Sequence, residues 1–304
     1  MKFLLGRERL AVTMGAIAVV AWGFGPLFVR GVDASAPTIV FWRLWMAAPV
    51  MLVAARATGG RVTWPLLKKV FLPGVMFGIS MICSFTSYQW TSIANATLIS
   101  ALQPVAMLLL GPLLFGDRTA ARQILFAVIA VGGIATVVLG AHQASGASLK
   151  GDGIALANLA LWTAYFIRIK RVRNQGVHAA ALIAGIFCVA AVVVTPFVLL
   201  TSHDIGSVHG TDWLLIAAMV LVPGLIGHGF MTWAQRHMDI TLASLLTLGN
   251  PVISAVGAWV VFGQHLGGVQ MAGAVVVLAA LGGIVLEARS NAASTEIPVA
   301  ISAE

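Results

Sequence analysis

The chain has 304 residues, of which 60% are hydrophobic and only 9% charged, and its mean hydropathy is +0.97. A soluble domain carries about a quarter charged residues, so this chain lacks the polar surface to dissolve in water and most of it is expected to face lipid. The formal net charge of +8 sits at the ends of apolar runs, which makes lipid headgroups rather than nucleic acid its expected partner.

Backbone groups in lipid must be satisfied within a segment, and the apolar runs here are long and continuous rather than alternating, so helices are expected and not a barrel. A span needs roughly 20 apolar residues. Breaks at charged and turn residues place helices near 10–29, 36–55, 70–90, 94–115 and 122–140, then near 153–169, 179–200, 213–234, 241–262 and 268–287. The fold class expected is an all-α integral membrane protein of about ten transmembrane helices. Only weakly polar residues separate the third run from the fourth. The first run follows Lys2, Arg7 and Arg9 but is longer than a signal-peptide core and lacks a small-residue cleavage site, so it reads as a retained helix. Residues 288–304 read as a disordered cytoplasmic tail. Cys83 and Cys188 fall inside predicted spans and give neither a disulfide framework nor a metal signature, and no cofactor is expected.

Ten spans threaded from a cytoplasmic amino terminus put fifteen Lys and Arg residues on the cytoplasmic side. Only Arg30 and Lys150 fall on the other, and Arg43 stays inside a span. That positive-inside bias supports both the count and the orientation. Both termini are then cytoplasmic, and the expected location is the cell (inner) membrane.

The chain also repeats. Pro49 and Pro196, Pro104 and Pro251, Gln123 and Gln270, and the pairs Phe115-Gly116 and Phe262-Gly263 are each 147 residues apart. Leu72-Pro73-Gly74 is echoed by Val222-Pro223-Gly224 at 150, and Trp22 by Trp162 at 140. Ordered matches on corresponding helices imply a duplication, 10–140 and 153–287. An odd number of spans in each half forces the halves into opposite orientations, the inverted repeat of many secondary transporters, which place their site near the midplane between the halves.

The string Trp22-Gly23-Phe24-Gly25 resembles the tryptophan-glycine motif of the EamA family of the drug/metabolite transporter superfamily. Arg43 falls where that family often has an arginine in its second helix. Gln103-Pro104 and Asn250-Pro251, each followed about eleven residues later by Phe-Gly, look like the family's fourth and ninth helices. The resemblance covers residues 10–287 and implies export of amino acids or similar small metabolites. One departure shows: the residue after Phe-Gly is often Glu in the family, but here it is Asp117 and Gln264.

Prolines 104 and 251 lack an N–H and crowd the carbonyl four residues back, which should free the Ser100 and Thr247 carbonyls at matching depths. Freed carbonyls must find partners or line a cavity, and Gln103 and Asn250 beside them point to a cavity; kinks that only serve packing are the alternative. Helical spacing groups Asn158, Trp162 and Tyr165 on one face of the sixth helix. Ser80, Ser84, Tyr88 and Thr91 group likewise on the third, His228, Thr232 and Gln235 on the eighth, and Ser244, Thr247 and Pro251 on the ninth. Such stripes either line a cavity or join helices. Trp64 and Trp213 fit an interfacial belt, whereas Trp22 and Trp162 are deeper, as substrate walls or as core. Arg43, with no carboxylate at its depth, either clamps carbonyls or receives a substrate carboxylate. His228 is the one embedded group that titrates near neutral pH, for coupling or for packing.

A secondary carrier working by alternating access is therefore expected, with facilitated export, exchange and proton coupling all open and its oligomeric state unassigned. No phosphate loop, protease elbow or metalloprotease pair is visible, so ATP hydrolysis and intramembrane proteolysis are not expected. A channel would more often carry charged rings and assemble its symmetry from several chains.

Overall fold

A computed structural model describes residues 2–115, 120–140, 147–173, 175–234, 237 and 246–296, and every regular element among them is helical. The elements are α1 (Lys2–Gly23), α2 (Gly25–Gly31), α3 (Ala36–Ala57), α4 (Trp64–Trp90), α5 (Ile93–Ser100), α6 (Gln103–Phe115) and α7 (Ala121–Gly140). Then come α8 (Leu149–Arg173), α9 (Ala179–Thr201), α10 (Thr211–Met219), a π-helical stretch Val220–Gly227, α11 (His228–Ala234), α12 (Gly249–Phe262) and α13 (Gly268–Glu296). Pro26, Pro37 and Pro65 open α2, α3 and α4, where the missing N–H has no intrahelical partner to lose.

Among the described residues, eight stretches are long and apolar enough to cross a bilayer, and Gly249–Phe262 is a shorter apolar helix. The expected sixth span, within α8, is not among the eight. Lys150 and Asp152 near its start and Arg168, Lys170, Arg171 and Arg173 at its end leave only residues 153–167 uncharged. Part of the expected ninth span, 241–245, lies outside the described residues. Ten is thus an approximate count. The third span begins at Trp64, earlier than the charges Lys68 and Lys69 suggested, and it is divided from the fourth by an extended Thr91 and by Ser92, whose hydroxyl accepts the Asn95 N–H at 3.1 Å. The last helix continues to Glu296, past the expected end at 287.

Helix packing follows the repeat. α7 lies along α13, α3 along α9, and α5 against α12, each pair joining corresponding spans of the two halves. α1 packs against α11 and the π-helical stretch, and α8 packs against α4; α1 also meets α12, and α8 meets α5. Exchanging the halves turns the α1–α11 pairing into α8–α4 and the α1–α12 pairing into α8–α5. At the α7–α13 contact a Cβ on Gly273 would stand 2.9 Å from the Gly133 carbonyl oxygen, so glycine there permits a close backbone approach. The largest core joins Ile39, Leu44, Val70, Ile186, Ile216 and Met219, while Val53, Val128, Val192, Leu200 and Val260 point outward where lipid would cover them.

The halves differ along the third and eighth spans. Trp213 to Pro223 is one residue longer than Trp64 to Pro73. The eighth span takes up the excess in its π-helical stretch, whereas α4 is α-helical throughout. One inserted residue is what a π turn accommodates within a helix.

Candidate functional site

At one end of the bundle helices are tied by polar contacts that the sequence does not announce. Asp152, in the first turn of α8 and 4% exposed, accepts the Thr91 hydroxyl at 2.7 Å and the Asn95 amide at 3.2 and 3.3 Å. The Gln270 amide donates onward to Asn95 Oδ1 at 3.4 Å, so α5, α8 and α13 are tied through three buried side chains. Arg30 donates to the Tyr88 and Thr91 carbonyls at 2.8 and 2.9 Å. Gln264, where the family often has Glu, accepts the Ile93 N–H at 3.1 Å; an acceptor at the start of α5 is what a carboxylate would also provide there. Gln123 and Gln270, matched by the repeat, each accept the N–H of the residue three before them at 3.0 Å, half of a capping box at the start of α7 and α13. Nearby, Asp204 takes the Ser35 N–H at 2.5 Å, the Ser35 hydroxyl at 2.8 Å and the Thr38 hydroxyl at 2.5 Å. Its partial burial pushes the carboxyl up, but these hydrogen bonds outweigh that and hold it below its usual range.

Deeper in the bundle three spans are interrupted. The first breaks at Phe24, between α1 and α2, in the middle of Trp-Gly-Phe-Gly. The fourth breaks at Ala101 and Leu102, just ahead of Gln103-Pro104, and the ninth turns at Leu248, just ahead of Asn250-Pro251. These are the kinks expected at Pro104 and Pro251: Phe24, Ala101 and Leu248 keep right-handed helical angles, and backbone hydrogen bonds run on past Phe24 and Ala101. Pro104 has no N–H to offer the Ser100 carbonyl, nor Pro251 the carbonyl of Thr247. Ser254 donates to the Gly23 carbonyl at 3.0 Å, joining the break in the first span to the ninth, and lies 3.4 Å from Asn250 Oδ1. Gln103 makes no hydrogen bond among the described residues, and Ser100, Gln103, Thr247 and Asn250 are all half-buried.

Trp22 is tied to the eighth span. Its indole N–H donates to the Pro223 carbonyl at 3.1 Å, and its ring lies 5.3 Å from that of His228. A Cβ on Gly227 would stand 2.6 Å from the indole, so this glycine makes room for the tryptophan. At the matching place on the third span stands Phe77, which meets Trp162 at 5.9 Å, Tyr165 at 5.4 Å and Phe187 at 5.1 Å. The two tryptophans are thus set on separate walls with no ring contact between them. Asn158 is buried and accepts the Ser80 hydroxyl at 2.6 Å, joining α4 to α8.

Arg43 projects from α3 onto α4, its Nη1 3.7 Å from Met81 Sδ and its Cζ 5.1 Å from the Phe85 ring centre. Tyr88 and His228 lie within reach of its charge. Arg43 is half-buried and His228 exposed. The structure therefore brings Arg43, Tyr88, His228 and Trp22 together, and separately Trp162 with Tyr165. Gln235, Ser244 and Asp117 lie outside the described residues, as does the Thr232 side chain. Sequence reasoning missed Met81 and Phe85, which with Phe77 follow the i, i+4, i+8 spacing of one helix face. It also missed Asp152, whose signal was a carboxylate in a helix's first turn.

The geometry has parallels among known proteins. The sequence model of the EamA-like transporter family matches residues 9–139 and 149–286. The chain is 21% identical over 274 residues to the pseudopaline exporter CntI of Pseudomonas aeruginosa, covering 90% of this chain and 94% of that one. It is 25% identical over 259 residues to the aromatic amino acid exporter YddG of Ancylobacter novellus, covering 80% and 86%. It is 23% identical over 295 residues to a probable amino-acid metabolite efflux pump of Salmonella typhimurium, covering 88% and 92%. A solved crystal structure superposes with a TM-score of 0.62 at 23% identity over 92% of this chain and 98% of that one, a likeness of fold. A multi-pass helical chain with interrupted spans and a family match over both halves belongs to the EamA-like transporter family.

Proposed function

We propose that the protein is a secondary exporter of small organic metabolites of the amino-acid kind, working by alternating access and carrying out no chemistry on its cargo. The observation that carries this reading is the pair of proline kinks at Gln103-Pro104 and Asn250-Pro251, at matching positions of two repeats, 10–140 and 153–287. Paired proline kinks on corresponding helices are a common way for a transporter to shape a site between its two repeats. The names of the similar exporters agree with it.

In this reading the kinks act as hinges at Pro104 and Pro251, and Ser100, Gln103, Thr247 and Asn250 offer polar groups to cargo. Trp22, His228, Tyr88 and Arg43 form one wall, and Trp162 with Tyr165 another, while Asn158 braces the second wall through Ser80. Both termini face the cytoplasm of the inner membrane, as the charge split requires. The end tied by Asp152 then faces outward.

Purified protein in proteoliposomes tests this. Saturable uptake of a labelled amino-acid-like metabolite, accelerated by unlabelled metabolite on the opposite side, is expected. Current that rises linearly with driving force, or conversion of the metabolite without movement, would sink the reading. Repeating the flux with and without a pH gradient separates proton coupling through His228 from exchange.

A further inference from the structure

The third and seventh spans begin side by side. α4 opens at Trp64 and α9 at Ala179, and the two helices pack along each other. Between their starts lies a cavity of about 240 Å³. Its walls include Arg61, Thr63, Pro65 and Lys69 on the α4 side and His178 and Ala181 on the α9 side, and no carboxylate is among its lining residues. Thr63 and His178 hold the N-cap positions, yet neither side chain bonds to the N–H groups that follow. The first N–H groups of a helix have no partner within it and carry the positive end of its dipole.

The other repeat shows what such a place takes. There the matching helices, α3 and α10, also pack together. The start of α3 is met by Asp204, which accepts the N–H and, at 2.8 Å, the hydroxyl of the N-cap residue Ser35. Asp204 comes from the loop after α9. The corresponding loop after α3, residues 58–63, reads Thr-Gly-Gly-Arg-Val-Thr and holds no acidic residue. Its Thr58 carbonyl accepts from His178 Nε2 at 3.0 Å, and a Cβ on Gly60 would collide with the imidazole, so the loop clasps the ring at the cavity wall. One repeat supplies its own anion at this place, and the other presents cations to a cavity.

Trp64 sets the depth. It is 68% exposed at the first position of α4, with Lys68 Nζ 5.7 Å from its ring centre, as a tryptophan between headgroups and acyl chains would be. Leu72 follows Pro65 and Lys69 at i+7 and i+3, which continues the cavity face of α4 into the span, and it too is exposed. An anion seated at Arg61 and Lys69 therefore has apolar surface below it.

We propose that this cavity binds the phosphate of an anionic phospholipid, with Arg61 and Lys69 as its charge partners and an acyl chain running down past Leu72. Arg61 can meet two phosphate oxygens at once, while Lys69 acts as a point charge. The orientation that the charge split requires puts this end in the cytoplasmic leaflet, where basic pockets between helices take acidic headgroups. The headgroup would bridge the turn of the first repeat and α9 of the second. The site is independent of the transporter reading.

The test reads the melting temperature of the purified full chain in a neutral detergent. Dihexanoyl-phosphatidylglycerol is the probe. Dihexanoyl-phosphatidylcholine has the same chains and phosphate without the net charge, and inorganic phosphate and glycerol phosphate carry the anion without chains. Saturable protection by phosphatidylglycerol, about tenfold tighter than by phosphatidylcholine or by either soluble phosphate, is expected. Arg61→Gln and Lys69→Gln should each weaken it about fivefold, and Lys69→Arg should retain it. Lys68→Gln removes the neighbouring charge that does not line the cavity and should leave it unchanged. These side chains are exposed, so without lipid every variant should melt as wild type does.

No saturable protection, equal protection by phosphatidylcholine, or undiminished binding in Arg61→Gln and Lys69→Gln would each overturn the proposal. A loss in Lys68→Gln as large as in Lys69→Gln would also overturn it, since the basic surface at large would then be responsible. Protection by inorganic phosphate or glycerol phosphate as tight as by the lipid would overturn the assignment to a lipid.

Discussion

The end around Asp152 and the middle of the bundle around Arg43 hold the chain's most polar interior groups, and they treat them in opposite ways. At the Asp152 end a carboxylate 4% exposed has three donor contacts from Thr91 and Asn95, and the amide of Asn95 is itself held by Gln270. In the middle, a guanidinium rests against a thioether and an aromatic ring. A buried carboxylate with its donors in place ties the elements it joins, whereas a guanidinium held by a thioether and a ring face is anchored by weaker contacts. The contrast separates an ion held by strong donors from one held by weak contacts.

The contrast can be broken in order of size. Asp152→Ala leaves the Thr91 and Asn95 donors buried without an acceptor and should cost about 3 kcal/mol of stability, read from unfolding of the purified protein; a loss below about 1 kcal/mol would show that the seam does not depend on it. The arginine pair comes next. Arg30→Met removes two charge-assisted bonds and should cost about 2 kcal/mol, whereas Arg43→Met, which gives up weaker contacts, should cost less. Equal losses at the two sites would erase the distinction between them.

Gly227→Ala sharpens the difference between the halves. The added methyl group stands against the Trp22 indole and should cost about 1.5 kcal/mol by crowding. It should also displace the indole from the Pro223 carbonyl, seen as a changed tryptophan fluorescence that Gly229→Ala, in open space, does not produce.

The smallest effect is at Asp204. Hydrogen bonds hold its carboxyl below the usual range, so its contribution is complete above the unfolded pKa of about 3.9 and is lost as pH falls through the lower folded value. Asp204 is partly exposed, so Asp204→Asn should change stability at neutral pH by less than about 1 kcal/mol. It should also flatten the loss seen on acidification, and an unchanged acid limb in that variant would show that Asp204 is not its source.

The first and sixth spans show how far sequence similarity between the halves carries. Trp22 and Trp162 occupy matching places, but the first span breaks at Phe24 while α8 runs unbroken. Across from them, Gly227 stands where the third span has Phe77. A duplication predicts the position of each tryptophan; it does not predict that one donates to a backbone carbonyl while the other joins an aromatic cluster. The π-helical stretch beside Trp22 follows from one extra residue, which is countable in the sequence only after the two halves have been aligned on Trp64 and Trp213.

The sequence by itself determined the helical class, the approximate number of spans, the two-part plan and the proline kinks of the fourth and ninth spans. These are properties of contiguous residues: apolar length, charge at span ends and a proline without an N–H act over a few turns. Tertiary structure decided which polar residues are satisfied. Asp152 finds Thr91 and Asn95 at separations of 61 and 57 in sequence, and Ser254 finds the Gly23 carbonyl at 231. Hydropathy gives Arg30 and Arg43 the same score, and only the folded chain brings carbonyls to one and a thioether and an aromatic ring to the other. Local rules place a charge in the membrane; what meets it there depends on helices that are far apart in the chain.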